Sequence, residues 1–207
     1  MPALSAPEGA PVTPDPPGYP RELERDVVTG GLHYRVRPIR PDDGKPLVQF
    51  HARLSPRSVY LRFFSAHPVL SEKEVTRFTA VDYDARLALV ATADDHLIGV
   101  ARYDRAPGAS EAEVAFVVDD EYQHHGIGSE LLDELADAAL ARGVTVFRAE
   151  TLAENRTMLD CTGKPAWWNT SSMARFSTRV SAQKAFTPRA NAASASSSSN
   201  SEPTPWC

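Results

Sequence analysis

The sequence predicts an α/β domain whose central sheet is mixed, mostly antiparallel, and flanked by helices. Three observations predict it. Short apolar runs at Arg86 to Ala93, Leu97 to Arg105 and Glu111 to Val118 are separated by Asp94-Asp95 and Pro107-Gly108, the punctuation of antiparallel strands joined by tight turns. Leu131, Leu132, Leu135, Ala138 and Ala139 recur at helical spacing, and Thr145 to Leu152 follows as a further strand. A helix joining two strands makes them parallel neighbours. Between the 111–118 strand and that helix stands Gln123-His124-His125-Gly126-Ile127-Gly128, a strand–glycine loop–helix junction.

The remaining elements follow in chain order. Residues 1–20 hold seven of the 17 prolines and no apolar pattern, so a disordered arm is expected over 1–25. Val27-Val28, Thr29-Gly30-Gly31 and Leu32 to Ile39 read as a hairpin turned by the glycine pair. Arg40-Pro41-Asp42-Asp43 ends that strand, and an Asp is expected to cap a helix running to about Leu54. Ser55-Pro56 opens a second helix over 58–64. Ser71-Glu72-Lys73-Glu74 is a capping box ahead of a third. Arg142-Gly143 closes the helix that began near Leu131. Ala153-Glu154-Asn155 starts another helix, whose pattern fails after Leu159.

Composition narrows the classes of function. The 207 residues suffice for one domain with a real core. No apolar run approaches the roughly 20 residues of a membrane span, and a basic region followed by an apolar signal segment is missing, so a cytoplasmic address is expected. Cys161 and Cys207 make neither a disulfide framework nor a zinc spacing, and no metal site is expected. A formal net charge of −5 argues against nucleic acid as the main partner.

The glycine loop carries the chemistry. Glycines let backbone N–H groups turn toward one point, and a helix N-terminus adds its positive dipole end. This is a seat for a phosphate or diphosphate, though a bare strand-to-helix turn has the same pattern. A dinucleotide fold needs Gly-x-Gly-x-x-Gly after an early parallel strand; neither occurs. On the preceding strand, Glu111, Glu113 and Ala115 share one face, and Val114 and Phe116 the other. A carboxylate on the strand that feeds such a loop can take a proton from an incoming ammonium, and Glu113 lies closer to the loop than Glu111. A solvated strand-face charge is the plainer alternative.

This order of elements, and these residues, resemble the GNAT superfamily of acyl-CoA N-acyltransferases over roughly 27–160. The signature is the Gln/Arg-x-x-Gly-x-Gly/Ala loop, here Gln123 to Gly128. Val36 to Asp43 and Leu54-Ser55-Pro56 to Phe64 look like the acetyltransferase domain of bacterial protein lysine acetyltransferases. The resemblance implies acetyl-CoA as co-substrate, with its diphosphate on the backbone of Gln123, His124, His125, Gly126, Ile127, Gly128 and Ser129. It implies that the strand before the loop splays from the next parallel strand, with Val117, Val118 and Asp119 along the pantetheine arm. It matches Asn155 to a residue on the cofactor arm, although a simple helix cap fits that position equally. Glu113 matches the family's general base, and Thr151 and Leu152 would line the far side of the acceptor channel. The acceptor implied is a protein lysine, for example on an acyl-CoA synthetase. The rivals are a small-molecule amine acetyltransferase and a catalytically impaired acyl-CoA-binding module.

The resemblance breaks at residue 160. All three tryptophans and both cysteines lie beyond it; before it acidic residues outnumber basic ones 26 to 17, and after it one acid faces five bases. The GNAT-like domain is therefore read as 26–160, with 161–207 an atypical, disordered, Ser-rich tail and the late strands missing. Gly163 and Pro165 break the expected helix, and Thr162 stands where many relatives carry a tyrosine acid. A shifted reading frame accounts for the change: Ala166 to Thr170 read one frame over gives Leu, Met or Val, then Val, Glu, and His or Tyr. A genuine divergent tail is the alternative. Sequencing the gene decides between them, with a frame change near codon 161 expected and an intact frame shared by close relatives' tails contradicting it.

Overall fold

The computed structural model describes residues 14–156, residue 158 and a strand at 175–181. Six strands form the body of one sheet: β1 (Arg25–Thr29), β2 (Leu32–Pro38), β3 (Arg86–Ala93), β4 (His96–Asp104), β5 (Glu111–Val118) and β6 (Val146–Leu152). They lie in sequence order; β1 to β5 are antiparallel neighbours and β5 to β6 is parallel. A seventh strand, β7 (Arg175–Ser181), runs parallel to β6.

Helices cover both faces, and the period-2 pattern of the strands sorts side chains between them. On β3, Leu87, Leu89 and Ala91 join the core under α4 (Ile127–Ala141), with Leu131, Leu132 and Leu135. Ala88 and Val90 point the other way, into a second core with Leu47 and Phe50 of α1 (Gly44–Arg53) and Val59 of α2 (Pro56–Phe63). Phe78 of α3 (Glu72–Thr79) packs on its edge. Because β3 is buried on both faces, its sequence is continuously apolar rather than alternating.

The helix starts follow the expected chemistry at two places. The Ser55 hydroxyl accepts from the Ser58 N–H, with Pro56 in the first turn. Ser71 and Glu74 close a reciprocal capping box on α3. The third cap differs. Asp43 stands at the start of α1 but makes no side-chain cap. Its carboxylate instead accepts two hydrogen bonds from the Arg37 guanidinium, at 2.7 and 2.6 Å, and one from the Arg40 N–H. A buried carboxylate beside a half-buried arginine is held more strongly by that fork than by a helix amide.

Two expectations about the ends change. The expected disordered arm reached to residue 25, yet residues 14–25 are tied to the domain. The Tyr19 ring stands edge-on to Tyr83 at 5.6 Å, with the Arg40 guanidinium 4.5 Å above it. The Tyr19 hydroxyl donates to Glu24, and Asp15 pairs with Arg40. One aromatic anchor and its charged partners thus order a proline-rich segment that has no periodic pattern. At the other end, β7 lies inside the stretch expected to hold no strand. The rest of the tail, including Cys161, Thr162 and Cys207, lies outside the described residues, as do residues 1–13.

Candidate active site

The site is built where two neighbouring strands stop pairing. β5 and β6 share only three rungs, Glu111 with Val146, Ala112 with Phe147 and Glu113 with Arg148. Beyond Glu113, β5 stays paired to β4 as far as Val118, while β6 continues along β7 to Leu152. The strands therefore part, and among the described residues no strand lies against the β6-facing side of Val114–Val118. A cleft of about 470 Å³ opens there, bordered by Val114 to Val118, by Leu61 and Arg62 of α2, by the glycine loop, and by Glu150 and Asn155. That volume lies within the range of small-ligand sites, roughly 300–1,000 Å³.

The glycine loop forms one end of the cleft. His124 and Gly126 take left-handed backbone conformations, φ +67° and +85°, and such alternation turns successive N–H groups toward a common point. α4 begins at Gly126 with no side-chain cap, and its first helical hydrogen bond runs from the Glu130 N–H to the Gly126 carbonyl. The amides of Ile127 and Gly128 precede that bond, at the positive end of a four-turn helix. The hairpin between β1 and β2 supports the loop from behind. A Cβ on Gly126 would meet Thr29 Cγ2 at 2.8 Å, and one on Gly30 would meet the His125 carbonyl oxygen at 2.8 Å. Arg25 of β1 pairs with Glu130 and Glu134 of α4.

A polar knot fixes α2 to the same loop. Asp120 accepts from the Ser55 N–H at 2.8 Å and from the Ser55 and Ser58 hydroxyls at 2.7 Å each. The Gln123 amide donates to Ser58 Oγ and to the Val118 carbonyl, at 3.3 and 3.0 Å. Burial raises the pKa of Asp120, but the hydrogen bonds from Ser55 and Ser58 outweigh it and hold the carboxyl below its ordinary value. This anchor sets the α2 wall, and so the width of the cleft.

The expected site residues divide into three groups. Val117, Val118, Gln123, His124, Gly126, Ile127, Gly128, Ser129 and Asn155 all border the cleft. Asn155 also caps the turn after β6, its side-chain oxygen accepting from the Met158 N–H at 3.2 Å, so the cap and the cleft position coexist. Asp119 and His125 do not border it. The buried Asp119 carboxylate accepts from Arg53 at 3.0 Å, and His125 lies against Gly30. Glu113 sits at the last β5–β6 rung, on the face shared with Ala115 and Val117, just below the point where the cleft begins. Glu111 is engaged by Arg148, which donates to both of its oxygens at 2.7 and 2.8 Å. Thr151 and Leu152 are buried and lie outside the cleft.

Sequence reasoning missed Glu150, Leu61, Arg62 and Ser58. For Glu150 a signal was present: on β6 it alternates with Ala149 and Thr151 and so shares a face with Arg148. Nothing local marks Leu61 or Arg62, which enter the cleft only because Asp120 pins α2 there. A smaller apolar cavity of about 40 Å³ adjoins the cleft under α1 to α3, sharing Arg62, Ala115 and Val117 with it. Arg102 borders that cavity with its guanidinium 4.3 Å over Phe78.

Comparison with known proteins agrees with this geometry. The model of the acetyltransferase (GNAT) family matches residues 56–163, just over half of the chain, and the chain belongs to that family. An acetyltransferase of Pseudomonas aeruginosa is 31% identical over 134 residues, covering 63% of this chain and 72% of the relative. The acetyltransferase Pat of Mycolicibacterium smegmatis is 36% identical over 136 residues; the match takes in 64% of this chain but spans only 40% of that protein's length. The crystal structure of the GNAT domain of S. lividans PAT superposes with a TM-score of 0.67 at 43% identity, over 69% of this chain and 86% of that one. The fold is thus that of a GNAT acyltransferase, an enzyme whose acyl donor is acetyl-CoA. The residues present fit that donor: an uncapped helix start with a glycine nest suits a diphosphate, and an open strand edge suits an amide-bearing arm.

The loop is a sharp test. Gly126→Ala places a side chain both in the left-handed region and against Thr29, and costs about 1–3 kcal/mol locally. Acetyl-CoA affinity measured by calorimetry is expected to fall at least about tenfold, while circular dichroism stays native.

Proposed function

We propose that this enzyme transfers acetyl from acetyl-CoA directly to an amine, and that the amine is a lysine side chain of a protein, an acyl-CoA synthetase being one such acceptor. The observation that carries the reading is the parting of β5 and β6. It leaves the glycine loop at one end of a single open cleft and Glu113 at the root of the other, an arrangement that supports holding donor and acceptor together. Support for a protein acceptor comes from the 43% identity to the GNAT domain of S. lividans PAT and from the Val36–Asp43 and Leu54–Phe64 stretches.

The division of labour follows from the residues. Acetyl-CoA supplies an acetyl group already activated as a thioester. The amides at Gly126 to Gly128 hold its diphosphate, and the open edge of Val114–Val118 aligns its arm. A lysine ammonium at neutral pH is overwhelmingly protonated and cannot attack. Glu113 takes that proton, directly or through water, and the freed amine attacks the thioester carbonyl; the amide forms as the C–S bond breaks, and coenzyme A leaves as the free thiol with the second proton lost from nitrogen. Donor and acceptor bind at once, so no acyl group is carried on the enzyme itself.

The experiment is an acetyl-transfer assay on lysine peptides, with polyamines and aminoglycosides in parallel. Transfer to peptide lysine is expected. In Glu113→Gln, kcat is expected to drop by about 10²–10⁴-fold with acetyl-CoA affinity unchanged. Selective acetylation of a small amine, or a Glu113→Gln variant with wild-type turnover, contradicts the reading.

A further inference from the structure

We infer that Glu150 receives the acceptor's ammonium group and orients it before its proton is lost. The inference rests on the amine-acceptor reading above and adds a residue to it.

Position comes first. Glu113 and Arg148 form the last rung between β5 and β6. Glu150 is two residues further along β6, on the same face as Arg148 by strand alternation. It stands on the opposite wall from Ala115 and Val117, which follow Glu113 on β5; all three border the cleft. Glu113 and Glu150 thus flank the widening gap, one at its root and one on its far wall.

Charge comes second. Among the described residues that border the cleft, Glu150 is the only carboxylate, and the formal cations are Arg62 and Arg156. A cationic acceptor entering the cleft meets an anionic side chain on the β6 wall at Glu150. Below it, the charge of Arg148 is drawn off by the two hydrogen bonds to Glu111, at 2.7 and 2.8 Å. That pairing lies outside the cleft and keeps the arginine turned toward Glu111. Charge-assisted hydrogen bonds are stronger than neutral ones in such partly enclosed sites. A carboxylate that binds the ammonium while a second takes its proton separates the two tasks. Binding affinity then falls to Glu150 and proton removal to Glu113.

The test compares Glu150→Gln and Glu150→Asp with wild type, using a lysine peptide as acceptor. Three readouts are acceptor kinetics, calorimetric binding of the peptide to the coenzyme A complex, and acetyl-CoA affinity. Glu150→Gln is expected to raise the acceptor KM and weaken peptide binding by about tenfold, with kcat within about twofold and acetyl-CoA affinity unchanged. Glu150→Asp recovers part of the loss. Unchanged peptide binding in Glu150→Gln overturns the inference. So does loss of acetyl-CoA binding or of the thermal unfolding midpoint, which marks a structural pairing with a neighbour such as Arg62. Should wild type bind the peptide without acetylating it, the lysine reading fails while the binding comparison still decides the role of Glu150.

Discussion

The cleft in this molecule depends on one interruption: the parallel ladder between β5 and β6 ends after the Glu113–Arg148 rung. Parallel strands normally pair along their length, because an unpaired backbone edge loses about one hydrogen bond per residue facing it. Here each strand keeps its partner on the other side, β4 for β5 and β7 for β6, so the sheet survives the gap. The edge exposed between them supplies a ready-made row of backbone donors and acceptors. A ligand carrying amides can occupy it as a strand would.

The gap would be of little use if its borders moved, and the structure ties down each one. Asp120 binds the start of α2 through Ser55 and Ser58, and Gln123 joins the same group to the Val118 carbonyl. The β1–β2 turn backs the glycine loop so closely that neither Gly30 nor Gly126 has room for a side chain. The buried Asp119, held by Arg53, fixes the exit of β5 toward that loop. These contacts come from four separate parts of the chain. The strain of His124 in left-handed geometry is therefore carried by the surrounding fold rather than relaxed.

What could be read from the sequence was what local chemistry decides. The Gly-Gly hairpin, the Ser55 and Ser71 caps, the strand turns and the glycine loop each depend on residues within a few positions of one another, and the structure reproduces them. The failures share the opposite cause. Asp43 had a good role as a cap on α1 but is taken by the Arg37 guanidinium at the end of β2. Asp119 sits in the right stretch for the cleft, yet Arg53 claims its carboxylate. Tyr19 orders an arm whose composition suggests disorder, through contacts with Tyr83 and Arg40. Strand alternation gives the face of Glu150, but its place on the cleft follows only from the register of β6 beside β5 and the parting of the two strands. Local pattern thus picked out the residues at the loop end of the cleft more fully than those at its far end, which is a meeting of strands and a helix.

The most direct test of the account is amide hydrogen exchange across β5 with and without acetyl-CoA. If the open edge is the seat of the donor's arm, peptides covering 114–118 and 126–128 exchange more slowly when acetyl-CoA is bound. Those covering 111–113, whose β6-facing side is already paired, stay unchanged. Unaltered exchange over 114–118, under conditions where calorimetry shows acetyl-CoA bound, would contradict the claim that the parted strands form the donor site.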